Sequence, residues 1–167
     1  MKKKKGFSLL VIACSAAFLY SCSGSMNPSK IFVRKWQMQS FKSKAFDDHI
    51  AMIKQTLDTT KDSTLKAYLQ KQLDQVGVMM SSMKKTMLTS NVDGTCEIDA
   101  PNPMTGQMAV TKGKWLLIEG GKKLVMTENQ NPRPDTLNIE KLTSDTLVFS
   151  IPDGKGGKVI QTYSSVQ

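Results

Sequence analysis

From about Met87 to the C-terminus, apolar residues recur at every second position, and turn-forming residues break the pattern at short intervals. This is the feature that most restricts the fold. A period of two places successive side chains on opposite faces of a strand. Short strands joined by short turns must pair largely with their sequence neighbours. Asn91-Val92-Asp93-Gly94-Thr95 carries the Asp-Gly signal of a tight hairpin, and Cys96, Ile98 and Ala100 alternate after it. Pro101-Asn102-Pro103 reads as a loop, and Gln107 to Ile118 as a long strand with Gly113 a candidate bulge. Gly120-Gly121 turns the chain into a strand from Lys122 to Thr127. After the Asn131-Pro132-Arg133-Pro134 loop come strands from Thr136 to Leu142 and from Thr146 to Ile151, separated by Thr143-Ser144-Asp145. A wide loop of Asp153, Gly154, Lys155, Gly156 and Gly157 leads to a last strand, Lys158 to Tyr163.

Upstream, Ile31 to Phe41 reads as one more strand, with Phe32, Arg34, Trp36, Met38 and Ser40 on one face. The stretch from 43 to 87 has the other period. Phe46, Ile50, Ile53 and Leu57 share a helix face, with Ser43 as the expected N-cap and Asp47 and Asp48 suited to the first turns. Thr59 to Ser63 breaks that helix, and a second runs from about Thr64 with the stripe Leu65, Leu69, Val76, Met80, Met83, Met87. Gly77 within it predicts a kink or a close contact. The fold class expected is mainly β, formally α+β: an antiparallel barrel of about eight strands with a helical hairpin inserted after strand 1. Closure removes exposed strand edges.

The N-terminus reads as an address. Lys2 to Lys5 form a basic segment and Phe7 to Tyr20 an apolar run shorter than the 20 or so residues of a membrane-spanning helix. Leu19-Tyr20-Ser21-Cys22 resembles a bacterial lipobox: an aliphatic residue three before the cysteine, a small one just before it, and a thiol to take the lipid. Val11-Ile12-Ala13-Cys14 fits the same pattern but leaves a very short apolar core, so Cys22 is the expected acceptor. The organisation expected is a lipoprotein signal peptide over 1–21, a flexible tether over 22–30 and one domain over 31–167. Ser23 follows the cysteine and no acidic run comes after it, which favours lipid anchoring at the periplasmic face of an outer membrane. The membrane is then a partner through the anchor.

Charge and composition narrow the chemistry. The formal net charge of +9 includes the four lysines of the signal, without which the excess is +5. Only Arg34 and Arg133 are arginines, and no basic stripe interleaves with aromatics, so nucleic acid is not an expected partner. One histidine, His49, leaves no second for a metal site or proton relay, and no HExxH, paired CxxC or GxSxG motif occurs. No catalytic residue, metal or cofactor is therefore expected, and the protein is read as not an enzyme. Cys96 is either a reactive thiol or a small buried hydrophobe on the Ile98 face. The Gly154-Lys155-Gly156-Gly157-Lys158 run has the composition of a phosphate loop but lies in a hairpin. Of the 11 methionines, Met79, Met80, Met83 and Met87 crowd the second helix, either as an adaptable binding surface or as filling between helix and barrel.

The order of these motifs resembles the lipocalin-like lipoproteins of Gram-negative bacteria. Trp36 on the first strand, the Asp93-Gly94-Thr95 turn, Gly113-Lys114-Trp115, Leu124 with Met126, and Leu137 to Leu142 followed by Asp145 to Phe149 carry the likeness, over about Ile31 to Ser164. Arg34 stands where the first Gly-x-Trp of that pattern has glycine. The resemblance implies an eight-stranded barrel able to hold a small ligand. The expected function is an envelope lipoprotein that binds a small apolar or amphipathic molecule without catalysis, with Trp36, Met38, Trp115, Leu117 and Met126 as lining candidates. The alternative is a filled barrel that displays its helices to an envelope protein partner.

Overall fold

The computed structural model describes residues 27–102, 105–154 and 156–166. Cys22, the signal segment and most of the expected tether lie outside them. Eight antiparallel strands close into a barrel in the order β1 to β8. They are β1 Lys35–Ser43, β2 Met87–Ser90, β3 Thr95–Pro101, β4 Met108–Ile118, β5 Lys123–Glu128, β6 Asp135–Leu142, β7 Thr146–Pro152 and β8 Lys158–Val166. Every strand pairs with its sequence neighbours, and β1 closes on β8 from Lys35↔Val166 to Ser43↔Val159. The helical insertion sits where the change of period places it, as α2 Lys44–Thr59 and α3 Ser63–Met83.

The first strand is shorter than expected. Pro28–Phe32 is a helical turn, α1, with Asn27 as N-cap accepting from the Ser29 amide and proline in the first turn. The last residues of the expected tether, 28–30, are therefore helical, because Pro presets φ for a first turn and removes an N–H that would have no partner there. Two bulges interrupt the pairing, between Met38 and Ser40 and between Ile139 and Lys141. The first has a large effect. Trp36 and Met38 point inward, but the extra residue, Gln39, shifts the alternation. Phe41 then pairs with inward Gln161, whereas Ser40 pairs with Thr162 on the outer face. The expected shared face of Trp36, Met38 and Ser40 is corrected accordingly.

Gly113 is not a bulge. It pairs regularly with Cys96 on one side and Glu128 on the other. Its role is closeness: a Cβ there would lie 2.4 Å from the Thr127 carbonyl oxygen. Gly77 makes no close contact, since nothing lies within 4 Å of where its Cβ would be, and α3 continues through it. The turn at Asp93-Gly94 forms as read, with Gly94 at φ +81° and the Asp93 carboxylate accepting from the backbone N–H and hydroxyl of Thr95.

The core fills the barrel's lower part around Phe32, Trp36, Met38, Leu88, Leu124 and Leu147, all inside the strand ring or plugging it. The helical pair is held lightly. Asp62 caps α3 by accepting from Thr64 and Leu65 amides, yet of the 16 residues in α2 and 21 in α3 only Ile53 and Leu69 are buried. Because β2 is so short, the upper parts of β1 and β3 have no strand between them. The α3 helix contacts both and lies across that gap, with Met83 packed on the core.

Candidate functional site

The two ends of the barrel differ. At the base, where β1, β3, β5 and β7 begin, α1 plugs the ring. The Phe32 side chain is fully buried and meets the Trp115 ring edge-on at 4.8 Å. The Trp36 indole N–H donates to the Phe32 carbonyl at 2.9 Å, and the Ser90 hydroxyl donates to the same oxygen. The Arg34 guanidinium lies over the Trp36 ring, 5.3 Å from its centroid, and donates to the Ser144 carbonyl. Arginine in place of the pattern's glycine thus leaves Trp36 at the barrel end and covers it. Trp115 Nε1 donates to the Asn91 carbonyl at 3.2 Å, which ties β4 to the β2–β3 turn.

Above this packed base the interior is hollow. A cavity of about 380 Å³ opens toward the end that carries the helical hairpin, the end of β5 and the start of β6. Its apolar wall is Leu88, Ile98, Met126, Leu137, Phe149 and Ile151. Phe149 and Tyr163 meet edge-on with centroids 5.6 Å apart. The polar wall consists of Gln161, Tyr163, Thr136 and two carboxylates, Glu128 and Asp135. Tyr163 is buried, its hydroxyl donates to Gln161 Oε1 at 2.9 Å, and burial pushes its pKa well above the ordinary value, so it stays a neutral donor.

The lining candidates read from the sequence divide between the two halves. Met126 lines the cavity. Trp36 and Met38 are buried in the core below it, and Trp115 and Leu117 pack against that core. All five face inward, so the alternation is legible, but α1 fills the end at which Trp36, Trp115 and Leu117 sit, and Met38, level with Tyr163, is buried in the core cluster. The other cavity residues lie mostly on β5 to β8, toward the mouth. Glu128 and Asp135 escape a sequence reading because they stand at strand ends beside a Pro-rich loop and are exposed at the rim, as acids there ordinarily are, and nothing in the sequence shows that a cavity opens beside them.

The remaining candidate groups lie elsewhere. Cys96 is buried in the core cluster, and burial raises its thiol pKa, which disfavours the reactive thiolate. His49 is exposed on α2, beside Ile53 and the Gln72–Met79 side of α3. Met79 is partly exposed on the hairpin, and Met87 belongs to β2 rather than to the helix. Among the described residues no group of three or more His, Cys, Asp or Glu is placed to hold a metal ion, and no helix is long and apolar enough to cross a membrane.

No protein-family model and no curated protein matches the chain. Among solved structures it is similar to a lipocalin-like protein from Bacteroides uniformis, at 11% identity over 81% of this chain and 99% of the other, with a TM-score of 0.46. It is also similar to a DUF4847 family protein from Bacteroides vulgatus, at 15% identity over 79% of this chain and 92% of the other, with a TM-score of 0.42. The assignment to a closed eight-stranded antiparallel barrel stands on the strand pairings of this chain itself.

Proposed function

We propose that this protein is a non-catalytic binding protein that holds one small apolar or amphipathic molecule in the upper half of its barrel. The observation that carries this reading is the cavity. At about 380 Å³ it falls within the range of small-molecule sites, and its wall is mostly apolar with a few polar groups, as such sites are. The filled-barrel alternative fits the base and not the upper half.

The anchoring reading completes the proposal. Lipid on Cys22 holds the protein to a membrane, at the periplasmic face of an outer membrane. Acylation contributes about 0.8 kcal/mol per buried methylene, and stable anchoring takes more than one chain. Cys22 stands six residues before Pro28, where α1 starts on the base, which supports a reading with the base toward the membrane and the mouth toward the aqueous side.

The test is titration of the purified protein with N-phenyl-1-naphthylamine, a neutral apolar fluorophore, together with the cavity-filling variant Leu137→Trp. Saturable one-to-one binding that the variant abolishes supports the proposal. Absence of binding, or equal binding by the variant, refutes it. Mass spectrometry of membrane-extracted protein tests the anchor: a diacylglyceryl-modified Cys22 N-terminus is expected, and an unmodified one refutes that part.

A further inference from the structure

We infer that the ligand of this barrel is a cationic amphiphile, an apolar body carrying a protonated amine or similar positive group, rather than a fatty-acid-like anion. The inference rests on the binding reading above and adds the charge of the ligand's head.

Three observations converge. First, the cavity is the site, and its depth is apolar: Leu88, Ile98, Leu137 and Phe149 wall it against the core. Second, both ionisable acids of its wall sit toward the mouth, and they are neighbours. Met126 on β5 pairs with Asp135 at the start of β6, and Glu128 is the next inward residue after Met126, diagonal to Asp135. A ligand that buries its apolar end first brings its head to this pair. Third, no Lys, Arg or His is among the described residues that line the cavity, and neither carboxylate takes part in an ion pair among the described residues. Arg133 lies two residues before Asp135, on the rim loop, and is not part of the wall.

The local sign opposes the global one. The chain carries a formal net charge of +9, so two acids at the cavity mouth do not follow from an acidic composition. At physiological ionic strength screening acts over about 8 Å, so the two adjacent carboxylates govern a head group beside them more than distant lysines do. An anionic head in the same position would meet two like charges, with no base among the described lining residues to answer them. The aromatic pair Phe149 and Tyr163 on the same wall is also compatible with a cation, since ring faces attract positive charge.

Displacement of bound N-phenyl-1-naphthylamine by decylamine, decanol and decanoate, each below its aggregation concentration, decides the matter. Decylamine is expected to bind up to about tenfold more tightly than decanol, the upper scale of two exposed ion pairs, and decanoate more weakly than decanol. The double variant Glu128→Gln/Asp135→Asn should lower decylamine affinity to that of decanol and leave decanol unchanged. Added salt should weaken decylamine binding alone. If decanol displaces the fluorophore and decylamine is no better, the charge inference falls and the binding reading stands. If the double variant keeps the amine preference, the carboxylates are not its source and the inference falls. If neither the fluorophore nor any of the three ligands binds, both readings fall.

Discussion

The Phe32 carbonyl at the barrel base offers a sharp test of how the plug is held. It is buried and accepts from two side chains, the Trp36 indole N–H at 2.9 Å and the Ser90 hydroxyl. Removing one donor leaves the oxygen satisfied by the other. Trp36→Phe forfeits one net hydrogen bond and the contact with the Arg34 guanidinium, about 2 kcal/mol together. Ser90→Ala forfeits about 1 kcal/mol. Removing both orphans a buried carbonyl, which adds a desolvation penalty of about 1–2 kcal/mol that neither single variant incurs. The double variant should therefore lose about 4–5 kcal/mol against about 3 for the sum of the singles. Urea unfolding of the four proteins measures the cycle, with the midpoint moving and the slope unchanged if only the native state is affected. Strict additivity, within about 0.3 kcal/mol, would refute the shared-acceptor reasoning.

Gly113→Ala should destabilise by about 3 kcal/mol or more, because the new Cβ meets backbone rather than a yielding side chain; an unchanged melting temperature would contradict the close approach at Thr127. Gly77→Ala should do the opposite and stabilise by about 1 kcal/mol, read as a higher melting temperature, since the site is helical, open and free of strain. Asp93 is held below its ordinary pKa by hydrogen bonds from Thr95, Asp145 by Thr143 and Thr146, and Glu140 by Ser150 and then Lys158. Depressed folded-state values mean that their stabilisation is present above the unfolded carboxylate range and is lost as the pH falls through the folded values, so urea midpoints should drop on acidification below about pH 4. The Cys96 thiol should resist a thiol reagent in the native protein and react on unfolding, and rapid native labelling would overturn its placement in the core.

The strands and their order were legible in the sequence because they rest on local chemistry. Leu147, Phe149 and Ile151 alternate between turns, Asp93-Gly94 turns the chain as such a pair does, and Phe46, Ile50, Ile53 and Leu57 can share a face only in a helix. The order of short turns then leaves a meander as the economical pairing, and closure follows from eight strands. Three things were decided by tertiary structure alone. The bulge at Gln39 turned Ser40 outward and Phe41 inward, since one inserted residue reverses every later side chain and only the partner strand shows the insertion. Phe32 joined a helical plug rather than β1, because filling the ring's end buries it completely. That plug in turn decided which inward residues are core and which are wall. Trp36 and Trp115 became packing, and Glu128 and Asp135 became the rim of a cavity, because strand alternation fixes a side chain's direction but only closure and filling fix what lies in front of it.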